Sequence, residues 1–244
     1  MERMTAYSTL AEWFEYLNDD CDYENWSQYL IKRLSGYALD NGLDVGCGGG
    51  YFTRALQKNG YQMTGMDVSP AMLDKAQRTA LIEGVRSEYI LGDVSRGRIA
   101  RKYSFATAIN DCLNYVQPQR LDSALKNVYG CLKKGGVFLF DVSSVKKFQE
   151  KFCGTVNVDD RENVTYLSFA QFDGARAVLD VTLFVKNEDG SYTRYDETHT
   201  QYAYSEEILV AALQKAGFSN VFVEGHLGEE KAGSDRLVFL AEKR

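Results

Sequence analysis

The chain has 244 residues, a length that fits one α/β domain or one domain with a sizeable insertion. Apolar and charged residues make up 45% and 25% of it, as in a folded globular protein, and with only two prolines no disordered region is indicated. The formal net charge of −6 at pH 7 disfavours polyphosphate and argues against a nucleic-acid partner.

The N-terminal sequence MERMTAYSTLAEWFEY has acidic residues where a signal peptide has an apolar run, and nothing approaches the roughly 18 uninterrupted apolar residues of a membrane span. We therefore expect a cytoplasmic protein without a membrane partner, either a monomer or a homodimer. The five cysteines are far apart and form no CxxC pair. This distribution favours reduced thiols and predicts no metal site.

Helices and strands then alternate along the chain. Apolar residues at helical spacing predict two helices within residues 8–35, separated by NDDCDYEN. Strands are expected at 41–46, 61–67, 87–93, 104–110 and 137–142, with helices at 51–60, 69–84 and 119–136. Ser69 followed by Pro70 marks a helix start, and Gly60 a helix end. This order predicts a doubly wound parallel sheet buried on both faces.

From about residue 155 the pattern changes. Residues 162–173, 175–186 and 191–204 are β-rich runs joined by turn signals, which predict an antiparallel three-stranded insertion. A helix at 205–218 and strands at 220–225 and 235–244 follow. We therefore divide the chain into an N-terminal helical lid plus core (1–154), an insertion that caps the acceptor (155–204), and the completion of the core sheet (205–244).

The glycines of LDVGCGGGYF, residues 43–52, lie between a strand and a helix, where they let the backbone approach a ligand. The dinucleotide fingerprint G-x-G-x-x-G fails, because Tyr51 stands at the third position after Gly46 and Gly48. A P-loop is excluded because no Gly-Lys-Ser/Thr follows. Asp44 would repel a diphosphate and stabilise an ammonium, which favours a nucleoside-like ligand with a cationic part.

Two further acids end strands. Asp67 in GMDVS is placed for the hydroxyls of a ribose, and Asp93 in LGDVS can accept from an exocyclic amine such as that of adenine. Both lie at carboxyl ends of strands, where open α/β sheets bind their ligands.

Together LDVGCGGG, GMDVS, LGDVS and LKKGGVFLFDV resemble the class I S-adenosylmethionine-dependent methyltransferases over residues 38–142 and the closing strands. The resemblance implies a Rossmann-like, seven-stranded, mainly parallel sheet, with S-adenosyl-L-methionine as cofactor and S-adenosyl-L-homocysteine as product. It also implies cofactor contacts: Asp44, Gly46, Cys47, Gly48 and Gly50 at the methionine moiety, Asp67 at the ribose, Val68, Met72, Gly92, Asp93 and Val94 at the adenine, and Asn110 at the reacting end.

The N-terminal sequence YSTLAEWFEYLNDDCDYENW is similar to the lead-in of a bacterial small-molecule-type subgroup, which shares an antiparallel insertion with glycine and amino-sugar N-methyltransferases. Tyr7 and Trp26 match its pattern and join the expected cofactor contacts. The usual Tyr-Asp pair is replaced by Phe14 and Glu15, which removes a phenol. Tyr7 is also a candidate for a lid that shields the sulfonium by cation–π attraction.

Methyl transfer from a sulfonium needs mainly alignment and exclusion of water, and a general base only if the acceptor must lose a proton. His199 shares a strand face with Tyr195, Glu197 and Gln201, and is the candidate base or acceptor-orienting residue. The alternative is a solvent-facing sheet histidine. The second histidine, His226, is expected in a loop.

The sequence NDCLNYV places Asp111, Asn114 and Tyr115 just past a strand end as candidate acceptor contacts. The alternative is loop capping by short polar side chains.

We expect a methyltransferase that acts by in-line displacement on N or O of a small molecule or peptide end, the acceptor being an amine, hydroxyl or carboxylate. The alternatives are an RNA or protein methyltransferase and a non-catalytic cofactor-binding regulator. A dehydrogenase is disfavoured by the glycine register, and an RNA substrate by the absence of a basic stripe in the insertion sequence.

Overall fold

The computed structural model describes residue 7 and residues 9–244; the remaining N-terminal positions of the predicted lid lie outside the described residues. Helices α1 (Leu10–Leu17) and α2 (Tyr23–Leu34) precede the sheet. The core elements follow in the order β1 (Asn41–Val45), α3 (Tyr51–Lys58), β2 (Gln62–Asp67), α4 (Pro70–Ile82), β3 (Glu88–Leu91), β4 (Tyr103–Ala108), α5 (Pro118–Cys131) and β5 (Leu132–Ser143).

The second half begins with α6 (Val145–Lys151) and continues through β6 (Thr155–Asp160), β7 (Val164–Phe172), β8 (Arg176–Lys186) and β9 (Tyr192–Tyr202). It ends with α7 (Glu206–Ala216), β10 (Asn220–Glu224) and β11 (Arg236–Glu242). Short 3₁₀ turns lie at Asp19–Cys21, Cys112–Tyr115 and His226–Gly228.

The core sheet has seven strands in the order β10-β11-β5-β4-β1-β2-β3. Pairs among β1 to β5 are parallel, whereas β11 runs antiparallel to both β5 and β10. The predicted Rossmann-like, mainly parallel α/β fold is therefore confirmed. The strand order reverses between β1 and β4, and open sheets of this kind bind ligands outside the carboxyl ends of the strands at such a point.

Both faces of the sheet are covered, and its central strands β1 and β4 are accordingly buried along their whole length. On one face Phe138 and Phe140 of β5 pack with residues of α5 and α7; on the other Leu139 packs with Trp26 and Leu30 of α2. Alternate residues of one strand thus serve two cores, which anchors the strand ends from both sides.

The insertion has four strands rather than the predicted three. Its first strand, β6, pairs antiparallel with β7 and lies at the edge of the sheet β6-β7-β8-β9. The sequence pattern did not predict this strand. In the structure its apolar residues Val156 and Val158 are 64% and 63% exposed, so the segment TVNVDD has no buried face of the kind that marks a strand. The division of the chain at residues 154 and 204 stays a prediction.

One predicted boundary also moves. The helix expected at 119–136 ends at Cys131, and Leu132 already pairs with Tyr103 of β4. Leu132 is only 1% exposed, because it faces the core as a strand residue.

The insertion and α1 pack together. Leu10 of α1, Val164 of β7 and Leu183 of β8 are buried against one another in a small third core. This contact holds α1 beside the carboxyl edge of the core sheet, where it roofs the candidate site.

Candidate functional site

A cavity of about 400 Å³ lies at the carboxyl ends of β1, β2 and β4, beneath α1. Such a volume is within the range of small-molecule and cofactor sites, roughly 300–1,000 Å³. The structure brings most of the predicted site residues to its wall, namely Tyr7, Asp44, Gly46, Cys47, Gly48, Asp67, Val68, Met72, Gly92, Asp93, Val94, Asn110 and Tyr115.

The glycine loop after β1 is a tight turn fixed by the neighbouring strand. The amides of Gly46 and Cys47 both donate to the carbonyl oxygen of Met66 at the end of β2, at 2.7 and 3.1 Å. Gly46 and Gly48 have φ values of 66° and 52°, which glycine adopts without strain. The loop can therefore present its backbone to a ligand at close range.

Gly50 does not lie on the cavity wall, contrary to the prediction. It begins α3 with a φ of 80°, and a Cβ there would lie 2.7 Å from the Tyr89 hydroxyl oxygen. Its role in the structure is to start the helix in a crowded place.

Asp44 is held at the end of β1 by two hydroxyl groups. Thr53 donates to its Oδ2 at 2.6 Å and Thr107 to its Oδ1 at 2.9 Å. Burial raises the pKa of Asp44 to about 6, against the opposing effect of these hydrogen bonds, and the nearby charge of Asp67 adds to the increase. The site thus holds a desolvated acid ready to stabilise a cation.

Asp67 is fixed by backbone amides. Gly48 N donates to its Oδ2 at 2.9 Å and Ser69 N to its Oδ1 at 2.8 Å, while burial raises its pKa. Both oxygens keep free lone pairs, since a carboxylate can accept about four hydrogen bonds. The position at the end of β2 suits the pair of ribose hydroxyls.

Asp93 lies at the far end of the same wall. Its Oδ1 accepts from the amide and hydroxyl of Ser95, and its Oδ2 pairs with Arg96 Nε at 3.0 Å. Met72 and Val94 are buried beside it, whereas Val68 is 63% exposed and can cover a flat ligand from the solvent side.

The backbone after β4 is strained. Asn110 and Asp111 both have a φ of 65°, a conformation that costs a residue other than glycine about 1–3 kcal/mol. Asp141 of β5 imposes it by accepting from the Asn110 amide at 2.7 Å and the Asp111 amide at 3.2 Å. Asn110 consequently lies on the cavity wall, where the reacting end was expected.

Asp111 does not contact the cavity. Its Oδ1 pairs with Arg236 Nη1 at 2.9 Å and accepts from the Ser143 hydroxyl at 2.9 Å. Although burial opposes ionisation, the Arg236 guanidinium lowers the pKa of this carboxyl. Arg236 also pairs with Asp141, so the three side chains form one buried ionic cluster behind the strained turn.

Asn114 is likewise structural. Its side chain is fully buried, donates to the carbonyl of Tyr202 at 2.8 Å and accepts from the amide of Ser143 at 2.9 Å. The capping alternative is correct for this residue, and it leaves no polar group for an acceptor.

Trp26 lies outside the cavity, contrary to the prediction. It is 1% exposed, packs edge-on against Tyr29 and His226, and has the Arg236 guanidinium 5.8 Å from its ring. His226 lies on the same side, in a 3₁₀ turn, and is not on the cavity wall.

His199 is buried, so the solvent-facing alternative is wrong. It is 3% exposed because residue 7 and α1 cover its face of β9, and Glu197 Oε2 lies 3.3 Å from its Nε2. Its Nδ1 lies 3.4 Å from the hydroxyl of Tyr115. The ring is not on the cavity wall itself, because Tyr7 and Tyr115 stand between them.

Glu15 was not predicted as a site residue, although it marks a departure from the subgroup pattern. It lies on the cavity wall, and its Oε1 is buried without accepting a hydrogen bond from the described residues. The nearest cationic group, Arg54 Nη2, is 3.9 Å away. Gly49 makes room for this carboxylate, because a Cβ at residue 49 would lie 2.5 Å from Oε1.

These residues fit S-adenosylmethionine. The Glu15 oxygen that accepts no hydrogen bond from the described residues and the glycines beside it suit an amino-acid end with an ammonium, and Asp67 and Asp93 suit a ribose and an adenine. In the part of the chain that the structure describes, no three His, Cys, Asp or Glu side chains are grouped to hold a metal ion, and no helix is long and apolar enough to span a membrane.

A family described as "Methyltransferase domain" matches residues 43–136. The "Putative methyltransferase YqeM" of Bacillus subtilis (strain 168) is 30% identical over 97% of this chain and 97% of its own length. Among solved structures, an S-adenosylmethionine-dependent methyltransferase from Clostridium acetobutylicum is 26% identical and covers 98% of this chain and 99% of its own, with a TM-score of 0.87.

A further structure shares the fold at lower identity. CalS10, an amino pentose methyltransferase from Micromonospora echinaspora with bound S-adenosylmethionine, is 20% identical and covers 100% of both chains, with a TM-score of 0.74.

Proposed function

Since the chain belongs to the class I S-adenosylmethionine-dependent methyltransferases, we propose that its methyl acceptor is a small molecule or peptide end that reacts through nitrogen or oxygen. The observation that carries this proposal is the roof of the cavity. Tyr7 and Phe14 cover the carboxyl edge of the sheet, and the insertion packs against the helix that bears Phe14. An acceptor therefore has to reach a partly covered cavity, of about 400 Å³ before the cofactor binds.

When bound, S-adenosylmethionine supplies a methyl carbon to which the acceptor lone pair bonds while the carbon–sulfur bond breaks and its electrons remain on sulfur. The chain aligns the partners and excludes water. Asp67 and Asp93 would hold the ribose and adenine, and Glu15 the ammonium; Asn110 lines the same cavity. Alignment and exclusion of water of this kind contribute about 7–11 kcal/mol to such reactions.

Electrostatics agree with a cationic ligand. Glu15, Asp44 and Asp67 all line the cavity, and the chain carries a net charge of −6. Tyr7 and Phe14 also line the cavity, and their ring centroids are 5.4 Å apart in an edge-to-face arrangement. Their rings can attract a sulfonium by cation–π interaction.

The structural similarity to an amino pentose methyltransferase supports a small acceptor. An RNA or protein acceptor would have to reach past the roof, and the acidic chain would repel RNA.

The test is transfer of a labelled methyl group from S-adenosylmethionine to a cell extract separated by size. We expect label in the low-molecular-mass fraction, and its loss with Asp67→Ala but not with the exposed control Glu188→Gln. Label confined to RNA or to whole proteins would contradict the proposal.

A further inference from the structure

A chain of hydrogen bonds runs from a buried carboxylate to the cavity. Glu197 Oε2 lies 3.3 Å from His199 Nε2, His199 Nδ1 lies 3.4 Å from the Tyr115 hydroxyl, and that hydroxyl lies 2.8 Å from the Tyr7 hydroxyl. The last two side chains are on the cavity wall. Glu197 and His199 are only 2% and 3% exposed, so the inner half of this hydrogen-bond chain is shielded from solvent.

The carboxylate at the inner end is ionised. Its oxygens accept from the backbone amides of Tyr7 and Thr9, each at 2.7 Å, and of Leu10 at 3.0 Å. Burial opposes the charge, but the hydrogen bonds from His199 and these amides lower the pKa of Glu197 below its usual value. An ionised carboxylate only accepts hydrogen bonds, so the group that faces it must donate.

This requirement sets the direction of every later bond. His199 Nε2 must carry the proton that points at Glu197, so a ring with one proton has a bare Nδ1, which accepts from Tyr115. The Tyr115 hydroxyl therefore donates its hydrogen to His199, and the Tyr115 oxygen accepts a hydrogen bond from Tyr7. The Tyr7 hydroxyl in turn donates its hydrogen to Tyr115, so only the lone pairs of the Tyr7 oxygen are left to face the cavity.

The protonation energetics agree with this direction. Burial raises the pKa of Tyr115 to about 12, while hydrogen bonds from Tyr7 and Gln201 act in the opposite sense, as donors to a phenol oxygen do. Burial likewise raises the pKa of Tyr7, and its bond to Tyr115 raises it further, as expected for the donor of the pair. Both phenols therefore keep their hydrogens at neutral pH.

We propose that the Glu197–His199–Tyr115–Tyr7 chain selects a methyl acceptor that carries an N–H or O–H hydrogen, an amine or a hydroxyl, and receives the proton that the acceptor loses. This inference rests on the proposed function. An ionised carboxylate acceptor has no hydrogen to donate to the Tyr7 oxygen and would meet its lone pairs. The chain thus excludes one of the three acceptor classes that the sequence left open.

The proton balance closes within the chain. As the acceptor nitrogen or oxygen bonds to the methyl carbon, its hydrogen passes to the Tyr7 oxygen, the Tyr7 hydrogen to Tyr115, and the Tyr115 hydrogen to His199 Nδ1. The ring becomes an imidazolium beside the Glu197 carboxylate, 3.3 Å away. His199 therefore acts through two phenols and does not touch the acceptor.

The first test reads the tautomer of His199 directly. The chain has two histidines, so the His226→Gln variant identifies the ¹⁵N signals of His199 in a labelled sample. At mildly alkaline pH we expect a protonated Nε2 and a bare Nδ1. A protonated Nδ1 would mean that the hydrogen bonds run in the opposite direction, and it would overturn the proposal. This measurement needs no methyl acceptor.

The second test reads the chemistry of the product. Label transferred to the small molecules of an extract is treated with base, which releases methanol from methyl esters and leaves N-methyl and ether groups intact. Base-stable label supports the inference, and base-labile label overturns it. A reaction that transfers no label at all contradicts the proposed function instead.

The third test removes the cavity-facing oxygen. Tyr7→Phe keeps the ring that packs on Phe14 and His199, and we expect the initial rate of label transfer to the low-molecular-mass fraction of the extract to fall about tenfold or more, the effect of leaving a polar group unpaired. Tyr61→Phe, at the opposite end of β2 beside Phe105, is the matched control and should equal wild type. An unchanged initial rate of label transfer in Tyr7→Phe, with thermal stability retained, would overturn the proposal.

Discussion

Asp44 carries an energetic cost when no ligand is bound. Its pKa is raised from 3.8 to about 6 by burial, so the folded state binds the proton more tightly than the unfolded chain. The stabilisation from protonated Asp44 is complete below the unfolded value, near pH 4, and is lost as the pH rises to about 6. A shift of roughly two units corresponds to about 3 kcal/mol.

The variant Asp44→Asn should therefore be more stable than wild type at pH 8, by up to about 3 kcal/mol, and should bind the cofactor more weakly. The gain should shrink to zero near pH 4, where wild-type Asp44 is neutral as well. Urea unfolding at several pH values measures it, with the exposed Asp180→Asn as control. A variant less stable than wild type at every pH would show that Thr53 and Thr107 require the carboxylate.

For single residues, the sequence predicts well which side chains lie at strand ends, but it predicts poorly which partners the buried polar side chains bind. Asp44, Asp67, Asp93 and Asn110 follow strands whose carboxyl ends meet, so their convergence on one wall could be expected. Asp111 and Asn114 also follow a strand, yet their side chains turn to Ser143, Tyr202 and Arg236. Such partners are distant in sequence, and spacing along the chain carries no information about them.

A buried carboxylate of the insertion, Glu197, holds the N-terminal end of α1. Glu197 accepts from the amides of Thr9 and Leu10, which are among the donors that an α-helix leaves unsatisfied at its N-terminal end, and from the amide of Tyr7 just before the helix. A negative charge there is also favoured by the helix dipole. The apolar contact of Leu10 with Val164 and Leu183 adds to this attachment.

Glu197→Gln should loosen α1 without unfolding the sheet, because an amide has one acceptor oxygen where the carboxylate has two. We expect the Leu10 amide to exchange its hydrogen about tenfold faster or more, while amides of β4 and β5 stay protected. Hydrogen exchange followed by mass spectrometry measures both. Asp196→Asn, next to Glu197 on the other face of β9, is the control, and equal exchange in the two variants would contradict the attachment.

Elements with a buried face could be predicted, and an element without one could not. The strands β1 and β4 and most of β5 are buried on both sides, and β9 shows Glu197, His199 and Gln201 on one buried face. Strand β6 lies at an edge with its valines exposed, so the same reasoning overlooked it.

The whole molecule assembles one site from distant parts of the chain. The core sheet supplies the glycine loop and the strand-end acids, α1 supplies Glu15, and β9 supplies the residues behind Tyr7 and Tyr115. A ligand that contacts these parts together binds the folded state alone and must raise its stability by mass action.

S-adenosylhomocysteine at a hundredfold excess over its dissociation constant should stabilise the protein by about 2.7 kcal/mol, which for a chain of this size raises the Tm by about 5–10 °C. NAD should have no effect.

Glu15→Gln should weaken binding about tenfold, because a charged partner for the ammonium is lost, and should remove about 1.4 kcal/mol of this gain at the same ligand concentration. Gly49→Ala should do the same by displacing the Glu15 carboxylate, since its Cβ would lie 2.5 Å from Oε1. Differential scanning fluorimetry measures the Tm changes of the wild type with S-adenosylhomocysteine and with NAD and those of the two variants with S-adenosylhomocysteine, with Glu188→Gln as control. A Tm increase with NAD would contradict the cofactor pocket, and a wild-type increase in both Glu15→Gln and Gly49→Ala would remove Glu15 from it.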